Sequence, residues 1–126
     1  MFGVPVHIIV VHFPIVFVIA AAFCDVRGAY ASGYRLTLWA TAGVLLAIVT
    51  GLLLTGGHVS AITSHAVAGI VGGIVTLVFG MLRYTHRVRE GDARGYVSGW
   101  FAVELLAVLG IIVAAITGHQ AALGQY

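Results

Sequence analysis

The sequence contains little charge and almost no cysteine. Only 8% of its 126 residues are charged, whereas about a quarter are charged in a typical soluble domain, and the mean hydropathy is +1.11. This composition excludes a soluble globular protein. The single cysteine, Cys24, cannot form an intramolecular disulfide, and neither CxxC nor CxxCH occurs. Zinc ribbons, thiol–disulfide chemistry and covalently attached c-type haem are therefore excluded within this chain.

Four long apolar segments, separated by the charged residues, make up most of the chain. They cover residues 4–23, 36–55, 61–82 and 97–117. Each is long enough to cross a hydrocarbon core of about 30 Å as a helix, and none shows the apolar–polar alternation of a strand. The sequence predicts an all-α, integral membrane four-helix up-down bundle. Residues 1–126 form one transmembrane domain in the lipid bilayer.

Lysine is absent, and the arginines are confined to two loops. Arg27 and Arg35 follow the first segment, and the remaining four arginines lie at or after the end of the third. Because cytoplasmic loops of membrane proteins are rich in basic residues, we expect these loops inside and both termini outside the cytoplasm. The positive net charge thus indicates topology and not a nucleic-acid partner. Aromatic residues at the same boundary agree: Tyr30, Tyr34, Trp39, Tyr84, Tyr96 and Trp100.

Glycine is abundant, with 17 residues, and many lie inside the predicted helices. Small residues recur at four-residue spacing on three of them: Gly43, Ala47 and Gly51; Gly69 and Gly73; Gly110, Ala114 and Gly118. Such stripes allow helix backbones to approach closely in a membrane. A flat cofactor against a helix needs the same clearance, so the stripes are compatible with tight helix packing and with a ligand site.

Histidines are concentrated at the predicted outer side. His7 and His12 lie in the first half of helix 1, His65 one turn into helix 3, and His119 just past helix 4. His58 falls in the second loop, and His86 lies among the inner arginines. At about 1.5 Å per residue, His12 lies roughly 12 Å below the outer boundary and His7 and His65 roughly 5 Å below it. Ionisable groups at such depths usually mark a functional site.

Three interpretations of these histidines are open: hydrogen bonding to backbone or water, a b-type haem held by two imidazoles, and a small metal site. The helix bundle and the small-residue clearance favour haem. His7 and His12 point about 140° apart on one helix, so they cannot bind the same metal. We predict His12 and His65 as the axial ligands of the haem iron, with His119 and then His7 as the next candidates.

Glu104 is the only acid well inside a predicted helix, about 10 Å from the arginine side. A carboxylate at that depth must either form an ion pair with a basic group or take up a proton. It is expected to face the bundle or a partner subunit, either as a structural partner of Arg35 or Arg83 or as a proton-accepting group near a quinone. Asp25 is expected to be a solvated loop charge beside Arg27.

The opening of the chain carries a specific motif. Residues 6–15 read Val-His-Ile-Ile-Val-Val-His-Phe-Pro-Ile, which resembles a widespread bacterial family of predicted four-helix membrane proteins of unknown function that open approximately Leu-His-Pro-x-x-Val-His-Phe-Pro-Ile-Ala-Leu. The likeness extends through Asp25, the Ser-His-Ala at 64–66 and the Thr-Gly-His at 117–119. The chain departs from the family at Ile8, where proline is frequent, and at residues 120–122, where Leu-Gly-Gly is usual.

The resemblance implies a protein of the bacterial inner (cytoplasmic) membrane. Some relatives are joined to Rieske-type iron–sulfur domains, which suggests membrane electron transfer. We therefore expect a haem b electron-transfer subunit near the quinone pool, within a larger membrane complex and not an enzyme alone. The alternatives are a small structural accessory subunit without its own cofactor and a histidine-based metal-binding membrane protein.

Overall fold

A computed structural model describes residues 3–54, 64–90 and 99–122. These residues form four α-helices: α1 (Gly3–Val26), α2 (Tyr30–Leu54), α3 (Ser64–Glu90) and α4 (Trp100–Ala122). Each contains a span long and apolar enough to cross a membrane. The chain is thus an all-α, multi-pass membrane protein with a four-helix transmembrane bundle, as the sequence predicts.

All four helices are longer than the apolar segments that predicted them, and α2 and α3 extend furthest. α2 begins at Tyr30, six residues before its apolar segment, and α3 continues to Glu90, eight residues beyond its segment. Both extensions lie at the arginine-rich end, where the helices contain polar residues and continue past the apolar span. Hydropathy therefore locates the part of a helix that crosses the lipid, and not the ends of the helix itself.

A tight turn joins α1 to α2. Gly28 adopts a left-handed conformation with φ of 77°, which costs glycine little because it has no Cβ. The Ala29 amide donates to the Cys24 carbonyl at 2.8 Å, and the Gly28 amide donates to the Asp25 carbonyl at 3.0 Å. These bonds satisfy the last carbonyls of α1 as in a Schellman motif. The turn fixes the antiparallel α1–α2 hairpin.

The helices form a ring in chain order. α1 packs extensively on α2 and α3 on α4, while narrower contacts join α2 to α3 and α1 to α4. α1 and α3 therefore face each other across the bundle. Large apolar side chains cover the outside of all four helices, for example Leu53, Met81 and Leu106. This outer surface suits lipid, and only a narrow interior remains for polar groups.

Small residues bring the helices together at mid-height. A Cβ added to Gly72 of α3 would lie 2.8 Å from the Gly110 carbonyl carbon of α4, and one added to Gly43 of α2 would lie 2.9 Å from Pro14 Cδ of α1. Above and below these contacts, the apolar core contains Val18, Ala40, Val44, Ala107 and Ile111. Two of the predicted stripes thus include a residue at a close approach of two helices.

We expect Gly72→Ala to destabilise the bundle by about 1–3 kcal/mol, because the added methyl meets the backbone of α4 and forces the helices apart. Gly69→Ala is the matched control on the same helix. A Cβ at Gly69 meets nothing within 4 Å, so that variant should be neutral or gain up to about 1 kcal/mol of helix propensity. Unfolding in detergent, followed by helical circular dichroism, measures both. Equal stability of the two variants would contradict the close α3–α4 contact.

Candidate functional site

His7 points from α1 into the bundle towards α2. Its Nδ1 lies 2.8 Å from the Thr50 hydroxyl oxygen. The ring lies over Gly51, where an added Cβ would approach His7 Cε1 to 3.2 Å. A residue larger than glycine at position 51 would crowd the imidazole, so the α2 stripe provides the space that His7 occupies.

The Thr50 hydrogen bonds favour one tautomer of His7. The Thr50 hydroxyl has two backbone acceptors on its own helix, Leu46 O at 2.9 Å and Ala47 O at 3.1 Å. When its single proton is used there, the hydroxyl oxygen accepts from His7 Nδ1–H, and the lone pair of the neutral imidazole is on Nε2.

His65 is held in the same way by the other helix pair. Its Nδ1 donates to the Ala114 carbonyl of α4 at 2.9 Å, and a carbonyl can only accept, so Nε2 of the neutral ring again carries the lone pair. The ring lies against Gly118, where an added Cβ would be 2.7 Å from His65 Cε1. An imidazole ring occupies the space that a side chain at Gly118 would need, as His7 does at Gly51.

The structure places His7 and His65 at one end of the bundle. They come from the two helices that face each other across the bundle, at the end where α1 begins and α4 ends. We call these two residues the histidine pair. All four helices contribute to it, since α2 holds His7 through Thr50 and α4 holds His65 through Ala114.

The other histidine candidates lie elsewhere. His12 is exposed on the outer surface of α1, and its Nδ1 donates to the Ile8 carbonyl of the same helix at 2.5 Å. His119 is also exposed, and His58 falls outside the described residues. His86 packs edge-on against Trp100, with ring centroids 4.9 Å apart. Within the described ranges, no group of three or more histidine, cysteine or acidic residues converges as a metal site.

The opposite end of the bundle contains a buried ion pair. Arg83 of α3 donates two hydrogen bonds to the Asp25 carboxylate of α1, at 2.6 and 3.0 Å. It also donates to Thr37 Oγ1 at 3.0 Å and to the Tyr30 carbonyl at 3.2 Å. The expectation of a solvated Asp25 beside Arg27 is wrong, because both Asp25 and Arg83 are only 4% exposed. Gly33 makes room by lying directly against the carboxylate.

The histidine pair and the ion pair are related by helix periodicity. Asp25 follows His7 by 18 residues, and Arg83 follows His65 by 18 residues. Because 18 residues complete about five turns, each helix carries its two polar residues on one face, about 27 Å apart. α1 and α3 therefore meet through a polar pair at both ends of the bundle, with the apolar core between them.

Glu104 lies inside the bundle, between these ends, as the sequence predicts. It is 1% exposed and lines a cavity of about 10 Å³ together with Val18, Ala21, Thr37, Thr76 and Phe79. Arg83, one of the two arginines considered as its partners, forms the ion pair with Asp25. The hydroxyls of Thr37 and Thr76 were not singled out from the sequence, where threonine in an apolar helix carries no distinct signal.

The comparisons with known proteins leave the family open. Neither protein-family models, nor curated proteins, nor solved structures give a match to this chain. The resemblance based on the Val-His-Phe-Pro-Ile motif therefore remains a prediction, and the function has to be argued from the site itself.

Proposed function

We propose that this protein is an electron-transfer subunit that binds a b-type haem through the histidine pair, near the quinone pool of a bacterial inner membrane. The observation that carries the proposal is the state of the two rings. His7 and His65 both use Nδ1 in a hydrogen bond to a second helix, which leaves Nε2 as the ligating nitrogen of each, and both residues are half-buried at the same end of the bundle.

The donor set fits haem iron. Ligating histidines almost always donate their second ring N–H to a carbonyl, carboxylate or water, which fixes the tautomer and orients the ring. Ala114 O supplies such an acceptor for His65, and the Thr50 hydroxyl does so for His7. Imidazole suits iron, copper and zinc, but a structural zinc site requires four ligands. Haem iron can be held by two imidazoles, so His7 and His65 would be sufficient to hold it.

The other predicted partners follow from this role. A bound haem would supply a one-electron carrier, and a chain of this size would pass its electrons to or from a larger membrane complex. Glu104 remains the proton or quinone candidate, since it is the buried acid of the bundle outside the ion pair among the described residues. His12, the predicted partner of His65, stays a candidate ligand on the outer surface, as does His119.

The test is the visible absorption spectrum of the purified protein, oxidised and reduced. We expect a low-spin b-type spectrum in the wild-type protein and its loss in His65→Ala. His86→Ala is the control, because that ring packs on Trp100 at the opposite end. A wild-type protein without haem, isolated from haem-replete membranes, would exclude this function.

In that event the structural accessory subunit becomes the favoured function. One observation supports it independently: the Nδ1 hydrogen bonds of His7 and His65 each join two helices, so the histidines also contribute to bundle packing. A metal-binding protein is the third candidate. Metal analysis of the haem-free protein distinguishes these two.

The proposed orientation places the ion-pair end in the cytoplasm and both termini outside. We expect a cysteine introduced by Gly91→Cys, in a Cys24→Ala background, to resist an impermeant thiol reagent in intact cells. The same reagent should label it after the membranes are opened. Labelling in intact cells would reverse the topology, because the arginine-rich loops would then lie outside.

A further inference from the structure

We propose that the two helical hairpins, α1–α2 and α3–α4, are copies of one histidine-holding unit. In this arrangement the Thr-Gly pair at 117–118 positions His65 as the Thr-Gly pair at 50–51 positions His7. The inference deepens the proposed function and rests on it for the identity of the ligand, a b-type haem. The relation between the two hairpins follows from the sequence and the packing alone.

The first observation is a pattern of residues that α2 and α4 share. Residues 40–51 of α2 and residues 107–118 of α4 both read Ala-x-x-Gly-x-x-x-Ala-x-x-Thr-Gly. The pattern recurs at a separation of 67 residues. In the other two helices, His65 follows His7 and Arg83 follows Asp25, both at a separation of 58 residues. The first helices of the two hairpins therefore align with each other, and so do the second helices.

The second observation is that burial follows the same alignment. Each buried residue described in α1 aligns with a buried residue of α3. The aligned pairs are Pro14 with Gly72, Val18 with Thr76, Ala21 with Phe79, and Asp25 with Arg83. Buried residues of α2 align in the same way with buried residues of α4: Thr37 with Glu104, Ala40 with Ala107, and Val44 with Ile111. The two hairpins thus turn the same positions towards the interior.

A two-fold rotation about the bundle axis relates the hairpins, because α1 and α3 run in the same direction and face each other across the ring. The small cavity beside Glu104 is lined by three aligned pairs: Val18 with Thr76, Ala21 with Phe79, and Thr37 with Glu104. The axis therefore passes through this cavity. At the ion-pair end, the aligned residues Asp25 and Arg83 bind each other, as equivalent residues do where a two-fold axis passes between them.

Each hairpin holds its histidine at the same place. The imidazole lies over the glycine of the Thr-Gly pair, where an added Cβ would be 3.2 Å from Cε1 of His7 in the first hairpin and 2.7 Å from Cε1 of His65 in the second. Eight residues earlier, Gly43 and Gly110 lie against the aligned residues Pro14 and Gly72. Two contacts within each hairpin therefore recur at matching positions.

The acceptors for Nδ1 also belong to the repeated pattern. Each threonine hydroxyl lies near the carbonyl oxygen of the alanine three residues earlier, at 3.1 Å in α2 and 3.2 Å in α4. His7 Nδ1 bonds to the hydroxyl of Thr50, whereas His65 Nδ1 bonds to the carbonyl of Ala114. A carbonyl oxygen has two lone pairs, so Ala114 O can accept from both His65 and Thr117. Thr117 thereby holds the acceptor of His65 in place and is a positioning residue for this ligand.

The two-fold relation suits a ligand that is held equally from two sides. Rotation about the bundle axis exchanges His7 and His65, and haem iron can be held by two imidazoles. We expect Gly118→Ala and Gly51→Ala each to reduce the low-spin haem spectrum, because the added methyl displaces the ring, with the larger loss at Gly118, where the approach is closer. Gly69→Ala is the control, since a Cβ there meets nothing within 4 Å. Full low-spin haem content in either of the first two variants would overturn the equivalence of the hairpins.

Nitrogen-15 NMR of the histidine rings tests the same unit without relying on haem. In the purified full chain in lipid nanodiscs, we expect Thr117→Val to shift the Nδ1 resonance of His65 and not that of His7. Thr117→Ser, which keeps the hydroxyl, should retain the wild-type position. Thr85→Val is the control and should shift neither ring, because its exposed hydroxyl bonds its own helix at the opposite end.

An unchanged His65 resonance in Thr117→Val would overturn the positioning role of Thr117, and this conservative variant decides the question even where a glycine variant does not fold. The two proposals can fail separately. Absence of haem from the wild-type protein, together with the His65 shift, would exclude the proposed function and confirm the matching units. A haem spectrum without that shift would support the function and contradict the units.

Discussion

Arg83→Met is expected to lower the free energy of unfolding by about 3–5 kcal/mol, because removal of one partner leaves the other charge buried and uncompensated. Asp25 is only 4% exposed and is bound by both arms of the guanidinium. Asp25→Asn should have a comparable effect, since it leaves the arginine charge inside. Arg83 also binds Thr37 and Tyr30, so its loss loosens the contact of α3 with both α1 and α2.

Unfolding of the detergent-solubilised protein measures this effect, and Arg89→Met is the matched control. Arg89 is exposed in the same helix, so the identical substitution there should change the stability by no more than about 0.5 kcal/mol. The double variant Asp25→Leu with Arg83→Met should recover much of the loss, because a buried ion pair can often be replaced by apolar residues. Equal stability of Arg83→Met and Arg89→Met would contradict a structural role for the ion pair.

The fold can be predicted from the sequence because the hydropathy of each segment indicates whether lipid or water surrounds it. The described residues of all four apolar segments are mostly helical, and the arginine-rich ends lie together, as the contacts of Arg83 with Asp25 and of Arg87 with Tyr34 show. The ends of the helices could not be obtained in the same way. Tyr30 and Glu90 lie in helices beyond the apolar spans, where backbone hydrogen bonding and not hydropathy decides the structure.

The ion pair was missed although the sequence contains a signal for it. The equal 18-residue separations of His7 from Asp25 and of His65 from Arg83 place each pair on one helix face. These separations predict the ion pair only when it is known that α1 and α3 face each other across the ring. Loop length and hydropathy do not give this, because it depends on close contacts such as that of Gly72 with Gly110.

The same limitation explains the choice of His12 from the sequence. Its position within the apolar span and next to Pro14 favoured His12, but neither determines which side of a uniformly apolar helix faces the bundle. Pro14 gives the missing information: it is buried against Gly43 of α2, and His7 precedes it by seven residues, about two turns. The face that carries Pro14 therefore carries His7 and turns His12 outwards.

Haem binding should therefore distinguish the two histidines of α1. We expect His7→Ala to abolish the low-spin haem spectrum, as His65→Ala does, and His12→Ala to retain it. The reason is the position of the rings: His7 and His65 are half-buried and each is hydrogen-bonded to a second helix at one end of the bundle, whereas His12 is exposed on its surface and bonded to its own helix.

A further variant, with its control, tests whether the hydrogen bond of the His7 ring holds this imidazole in place as a haem ligand. Thr50→Val removes the acceptor of His7 Nδ1–H and keeps the side-chain shape, and loss of such a partner typically weakens a metal site by about 10–100-fold. Thr85→Val on α3 is the control, because that exposed hydroxyl donates to the Met81 and Leu82 carbonyls of its own helix at the opposite end of the bundle. His58→Ala and His86→Ala should also keep the full haem content. Loss of the spectrum in His12→Ala with retention in His7→Ala would support the ligand pair predicted from the sequence, His12 and His65. It would also require an axial ligand on the outer surface of α1, where only lipid, a partner subunit or a second copy of the chain could enclose the haem.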